Sequence, residues 1–155
     1  MSFTSTASFI WSVADLLRGD YKQSDYGKVI LPFTLLRRLE CVLEPTRDAV
    51  LAEYEARKDL GIPLEVFLTK KSKHSFYNSS KFSLGTLLAD PSNLRDNLEA
   101  YIADFSENAR EIFERYKFDD QLAYLDESDL LYKIVEKLSL IHISEPTRLL
   151  SISYA

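Results

Sequence analysis

Residues 9–43 read FIWSVADLLRGDYKQSDYGKVILPFTLLRRLECVL, and this stretch decides the fold. Its apolar residues recur at helical spacing on both sides of the polar segment DYKQSD. Gly19 is placed to end the first helix in a left-handed conformation, and Pro32 lies inside the second apolar pattern. Because that pattern continues past the proline, we predict two helices, the second kinked but continuous. We expect Trp11, Phe33 and the leucines of both helices to form the core.

The helical pattern extends outward from this stretch in both directions. The first helix is predicted to begin near Thr6 or Ser8, either of which can cap it. Downstream, apolar residues recur at helical spacing up to residue 138. Only four Gly and five Pro argue against a turn-rich all-β fold. The fold class predicted is therefore all-α, a bundle of about six or seven helices. The sequence also allows one short strand pair near residues 64–82.

The composition is that of a single domain with a sizeable core. The chain has 155 residues, of which 46% are hydrophobic, with nine Phe and nine Tyr. The lone Cys41 excludes an internal disulfide and a cysteine-based zinc site, and we expect it to be a small core residue. No apolar run approaches the ~18 residues that a membrane span needs, and no signal peptide is evident. The sequence therefore predicts a soluble cytoplasmic protein.

The net charge of −5 is distributed unevenly along the chain. Residues 1–85 contain twelve Lys and Arg against ten Asp and Glu, a net charge of +2. Residues 86–138 contain six against thirteen, a net charge of −7. An acidic protein can still bind nucleic acid through a local basic patch. The acidic half is better suited to protein contacts or to solubility.

The end of the chain, residues 139–155, differs in character from the rest. It reads SLIHISEPTRLLSISYA, with only one acidic and one basic residue and alternating Ile, Leu and Ser. Such a segment could add a strand to a partner. It also resembles a string found at the ends of unrelated predicted reading frames, where it looks like translated adapter sequence. We therefore predict a domain over residues 1–138 and a non-native tail over 139–155, and we assign His142 no role.

No catalytic, cofactor-binding or metal-binding motif is evident in the sequence. The glycines are too dispersed for a nucleotide-binding loop, and no histidine spacing suits a metal. Carboxylates are plentiful, but they fall on the polar faces of amphipathic helices. Arg37 and Arg38 are predicted to extend to solvent or to pair with Glu40 and Glu44. Enzyme chemistry within this chain alone is not expected.

One basic segment, residues 69–81, is a candidate binding site. It reads TKKSKHSFYNSSK, and the sequence predicts a loop or a short extended excursion there. Lysines neutralise phosphates, aromatic rings stack on unpaired bases, and asparagine can read an adenine edge. The alternative is a solvated loop that its two aromatic residues pin to the core. The DNA-binding candidates are Lys70, Lys71, Lys73, His74, Tyr77, Asn78 and Lys81.

Short motifs over residues 5–138 together carry a family resemblance. They are Trp11 with ADLLRG at 14–19, VILP at 29–32, LLRRL at 35–39, FYN at 76–78, Asn97-Leu98, Tyr101-Ile102, Phe105-Ser106 and LLY at 130–132. The combination resembles the N-terminal helical domain of modification subunits. These are the DNA methyltransferase subunits of type I restriction–modification systems.

The resemblance implies a site-specific adenine-N6 DNA methyltransferase subunit that uses S-adenosylmethionine. Its partners would be double-stranded DNA, a specificity subunit, a second modification subunit and a restriction subunit. In that family a catalytic domain follows, with a Gly-rich cofactor loop and an Asn-Pro-Pro-Phe or Asn-Pro-Pro-Tyr motif that holds the flipped adenine. This chain has neither motif and departs from the family at about Ser139. We therefore expect the fragment alone to bind no cofactor and to be inactive.

Two functions follow as hypotheses. In the first, the chain is an accessory domain that clamps DNA and assists assembly of the complex, with residues 69–81 facing the DNA. In the second, it is a protein-interaction module that docks the specificity and restriction subunits without direct DNA contact. The acidic second half, including Glu107, Glu111 and Glu114, would then carry the interface.

Overall fold

Helices account for most of the chain that the computed structural model describes, residues 3–141, with side chains from Thr6 onward. The all-α prediction is confirmed. Within these residues the helices are α1 (Phe3–Leu17), α2 (Tyr26–Leu43), α3 (Arg47–Arg57), α4 (Glu65–Ser72), α5 (Leu84–Leu87), α6 (Leu94–Ala103), α7 (Glu107–Arg115), α8 (Phe118–Glu127) and α9 (Leu131–Ser139). Short 3₁₀ turns precede α2, α3 and α6. No strand is present between residues 3 and 141, where only isolated bridges occur.

The second helix is the centre of the bundle, and it packs against α1, α8 and α9. It continues without a break through Pro32, as the periodicity predicted. The proline lacks an N–H, so the carbonyl of Lys28 loses its helical donor. The buried apolar residues of this helix are Val29, Ile30, Pro32, Phe33, Leu35, Leu36, Leu39 and Leu43. This wide apolar face explains why α2 touches helices on several sides.

Trp11 is not part of the core, contrary to the prediction. Its side chain is 73% exposed, whereas Phe9, Val13 and Leu17 on the same helix are buried. Successive residues of a helix are rotated by about 100°, so Trp11 lies about 200° from Phe9 and from Val13. The buried stripe of α1 therefore follows the i, i+4 spacing from Phe9, and the tryptophan occupies the opposite face.

Glycines with positive φ follow two of the helices, and Gly19 ends α1 as the sequence indicated. Gly19 follows α1 with a φ of +96°, and Gly61 follows α3 with a φ of +69°. A side chain with a Cβ is strained in this region, which explains glycine at both positions. The start of α1 differs from the prediction, because the helix begins at Phe3 rather than near Thr6 or Ser8. Helix boundaries within a run of Ser and Thr are weakly specified by the local sequence.

The largest difference from the prediction lies between residues 64 and 88. Residues 65–72 form α4, so Lys70 and Lys71 lie on a helix and not in the loop that was predicted from residue 69. Ser83 caps α5: its hydroxyl accepts the N–H of Thr86, whose hydroxyl accepts the N–H of Ser83. The order in this region comes from packing between helices, since α4 packs on α3 and α5 packs on α6 and α9.

The predicted boundary at residue 138 remains a prediction. Ser139 is the last residue of α9, Leu140 is exposed, and Ile141 is buried against the core. Residues 142–155, which hold His142 and most of the predicted tail, lie outside the described residues.

A pair of tyrosines fastens the turn between α1 and α2 to α8. The rings of Tyr21 and Tyr124 meet edge to face, with centroids 5.0 Å apart. The hydroxyl of Tyr21 donates to Oε1 of Gln121 at 2.9 Å, and that of Tyr124 donates to the carbonyl of Asp20 at 2.9 Å. Burial, followed by the nearby Tyr124, Asp20 and Asp25, raises the pKa of Tyr21 from 10.0 to about 12.

This pKa shift predicts a loss of stability at alkaline pH. The folded state holds the Tyr21 proton more tightly than the unfolded chain, so the contribution is complete below pH 10.0 and disappears as pH rises toward about 12. Because the ring is only half-buried, we expect a loss of about 1 kcal/mol. Urea unfolding at a series of pH values measures it. The Tyr21→Phe variant should show a smaller decline, and an equal decline would contradict this assignment.

Candidate nucleic-acid interface

The basic segment, residues 69–81, begins on the last turn of α4 and continues as a loop toward α5. Lys70 and Lys71 lie in that last turn, and Lys73 ends the helix with a φ of 64°, in the left-handed region. Its N–H still donates to the carbonyl of Thr69, so the chain turns sharply there. The side chains of Lys70, Lys71, Lys73, His74 and Lys81 are all exposed.

The buried side chains of Ser72 and Phe76 hold the loop against the core. Ser72 is completely buried, and its hydroxyl accepts the N–H of His74 at 3.2 Å and donates to the carbonyl of Phe76 at 2.8 Å. The ring of Phe76 is 2% exposed and belongs to the core. Buried polar atoms that are bonded in this way restrict the backbone, because breaking the bonds leaves desolvated groups without partners. The lysines therefore project from the end of α4 and from an ordered loop.

Tyr77, Asn78 and Ser79 run beside the end of α6. The N–H of Ser106 donates to the carbonyl of Tyr77 at 2.9 Å, and the N–H of Ser79 donates to the carbonyl of Asp104 at 3.0 Å. Asn78 and Phe105 form an isolated antiparallel bridge. The sequence had left open a short strand pair near residues 64–82. In this region the structure has only this isolated bridge.

The half-buried Asn78 and Tyr77 are tied to the domain. The side-chain amide of Asn78 donates to the carbonyl of Tyr101 at 3.0 Å, and its oxygen accepts the N–H of Ser80 at 2.6 Å. Burial, and then the negative Glu65, raises the pKa of Tyr77, while Arg110 lowers it. Both residues therefore position the loop, whereas the four lysines and His74 face outward.

Arg47 is a supporting residue that the sequence did not single out. It is the first residue of α3, and its Nη2 donates to the carbonyl of Lys81 at 2.6 Å. The bond spans thirty-four positions, so no local pattern could have indicated it. It orients the segment that carries Lys81. On the α4 side, a shallow depression is lined by Glu65, Val66, Thr69, Lys70, Lys73, His74 and Ser75.

Residues 3–141 contain neither a Gly-rich loop of the kind that holds S-adenosylmethionine nor a cluster of metal ligands. The four glycines lie in separate elements: Gly19 and Gly61 in turns, Gly27 in α2 and Gly85 in α5. No strand within residues 3–141 leads into a Gly-rich loop of the kind that cradles this cofactor. In the same range, no group of His, Cys, Asp or Glu is placed to hold a metal, and no helix is long and apolar enough to cross a membrane.

Comparison with known proteins gives one family. A family model described as HsdM N-terminal domain matches residues 6–138. No curated protein and no solved structure gives a significant match. The matched residues include the whole basic segment and the helices that hold it.

Proposed function

We propose that the basic segment clamps duplex DNA, and this proposal proceeds from the family. The chain belongs to the HsdM N-terminal domain family, which is found in the modification subunit of type I restriction–modification systems. The observation that carries this proposal is the group of exposed lysines at the end of α4 and on the ordered loop that follows it. Within residues 3–141, none of Lys70, Lys71, Lys73 and Lys81 lies in an ion pair. Their charges are available to phosphate groups, whose neutralisation releases counterions and drives binding.

The contact is with the phosphate backbone rather than with base edges. Lysine ammonium groups act as point charges and carry no geometric information about a base. The side chain of Asn78, which could read an adenine edge, is bonded to the backbone of Tyr101 and Ser80. We therefore propose that this domain holds DNA without reading its sequence, and that the specificity subunit reads the target.

The rest of the functional proposal concerns the complete subunit. Membership in the family places the chain in a type I restriction–modification complex. We propose that the subunit is a cytoplasmic adenine-N6 DNA methyltransferase and that S-adenosylmethionine binds outside residues 3–141. Its partners would be the specificity subunit, a second modification subunit and the restriction subunit.

The proposal predicts DNA binding by the 155-residue chain with strong salt dependence. Four lysines that contact phosphates should give a slope of about −3 to −4 in a plot of log K against log salt concentration. Fluorescence anisotropy with a short labelled duplex measures it. Two duplexes of unrelated sequence should bind equally. A slope shallower than about −1 would contradict a lysine-mediated contact.

Absence of binding even at the lowest salt concentration would favour the alternative, a protein-interaction module. Two observations support that alternative. Glu107, Glu111 and Glu114 of α7 are exposed. Glu114 also lines a cleft of about 550 Å³ among α6, α7 and α8, together with Asp119 and Asp120 and with the basic Arg110 and Lys117. In that case reversing the charges of α7 should abolish capture of the specificity subunit.

A further inference from the structure

A single carboxylate joins three elements of the bundle. Glu40 lies on α2, and its side chain is 10% exposed. Oε1 accepts a hydrogen bond from Nη1 of Arg37 at 2.5 Å. Oε2 accepts the N–H of Leu84, the first residue of α5, at 2.8 Å and the hydroxyl of Tyr101 on α6 at 2.9 Å. Oε1 is thus bonded to a residue of the same helix, and Oε2 to residues of α5 and α6.

Arg37 connects this carboxylate to the end of α9. Its side chain is 15% exposed, so it is largely removed from solvent. Nε donates to the carbonyl of Ile141 at 2.5 Å, and Nη2 donates to the carbonyl of Ser139 at 3.1 Å. The last carbonyls of a helix have no partner within the helix, so a guanidinium at this point satisfies them. These acceptors are main-chain atoms and do not depend on the residue types.

Tyr101 connects the same carboxylate to the basic segment. Its side chain is buried, and its main-chain carbonyl accepts the side-chain amide of Asn78 at 3.0 Å. Burial, and then the adjacent Glu40, raises the pKa of Tyr101 well above 10.0, so the hydroxyl remains a donor. A continuous series of contacts therefore runs from Asn78 through Tyr101, Glu40 and Arg37 to the end of α9.

We propose that Glu40 is a positioning residue that fixes the basic segment relative to the end of α9. A buried ionised group that loses one partner is left uncompensated, so the members of such a group hold one another in place. The lysines and the point where the chain leaves α9 would then move as one body. This inference rests on the hydrogen bonds alone and does not require that the segment binds DNA.

Amide hydrogen exchange of the 155-residue chain tests the proposal. The reporter is the N–H of Leu84, which donates to Glu40 and not to Arg37. If the guanidinium positions the carboxylate, Arg37→Met should accelerate exchange at Leu84 by about tenfold or more. A guanidinium that merely capped α9 would affect only residues 139–141. The control is Arg95→Met, since Arg95 pairs with Glu99 at 3.3 Å outside this network.

A double-mutant cycle provides the second measurement. Arg37→Met and Tyr101→Phe each remove a hydrogen bond to Glu40, one to each carboxylate oxygen. Their combined effect on the unfolding equilibrium constant should differ from the product of the single effects by about threefold or more. Should Arg37→Met fail to fold, Arg37→Lys replaces it with the same expected direction at Leu84. Independent effects in the cycle together with unchanged exchange at Leu84 would overturn the proposal.

Discussion

Replacing Lys70, Lys71 and Lys73 with glutamate is expected to weaken duplex binding by about 10²–10³-fold at low salt. The three ammonium groups lie within four positions at the end of α4, and all are exposed. Three contacts of about four would be lost, and the new carboxylates would repel the phosphates. The salt dependence should fall to a slope of about −1 in log K. Anisotropy titrations of both chains at several salt concentrations measure both quantities.

The matched control has the same change of net charge at distant positions. Lys22, Lys28 and Lys133 are exposed and lie outside the basic segment, so the corresponding triple glutamate variant changes the whole-molecule charge equally. Its affinity should decline only slightly, through the long-range field. Equal losses in the two variants would refute a local contact at residues 69–81. Circular dichroism must show that both variants retain their helices.

Truncation of Phe33 is expected to have the largest effect on stability. The ring is completely buried at the centre of α2 and meets the ring of Phe118 edge to face, with centroids 4.8 Å apart. Phe33→Ala removes this contact and leaves a cavity between α2 and α8, at a cost of about 3–5 kcal/mol. Urea unfolding followed by far-UV circular dichroism gives the free energy. Such a loss is a large share of the stability of a domain of this size.

The comparison that makes this prediction informative is Trp11→Ala. Both residues are large and aromatic, and both lie in the stretch that decides the fold. Because 73% of Trp11 is exposed, its truncation should change the free energy of unfolding by no more than about 0.5 kcal/mol. A loss similar to that of Phe33→Ala would show that the tryptophan is packed in the core. Circular dichroism is the suitable probe, since the chain has one Trp and the variant loses it.

The candidate site was only partly visible in the sequence. Four lysines between residues 70 and 81 identified the basic segment, and all four are exposed. The pattern could not reveal that Asn78 is bonded to Tyr101, twenty-three positions away, or that Arg47 supports Lys81. These bonds form only after distant helices have come together. Sequence reasoning therefore located the charges but not the contacts that orient them.

The sequence by itself determined the fold class, most helices, the glycine stop after α1, and the family. Each of these depends on local periodicity, on the conformational freedom of glycine or on short motifs, all of which are present in the order of residues. The tertiary structure alone decided which face of α1 is buried and that residues 65–72 are helical. It also brought Tyr101 into contact with Glu40, whose pairing with Arg37 the sequence had already offered. These outcomes depend on packing and hydrogen bonds between residues far apart in the chain, and no local pattern encodes them.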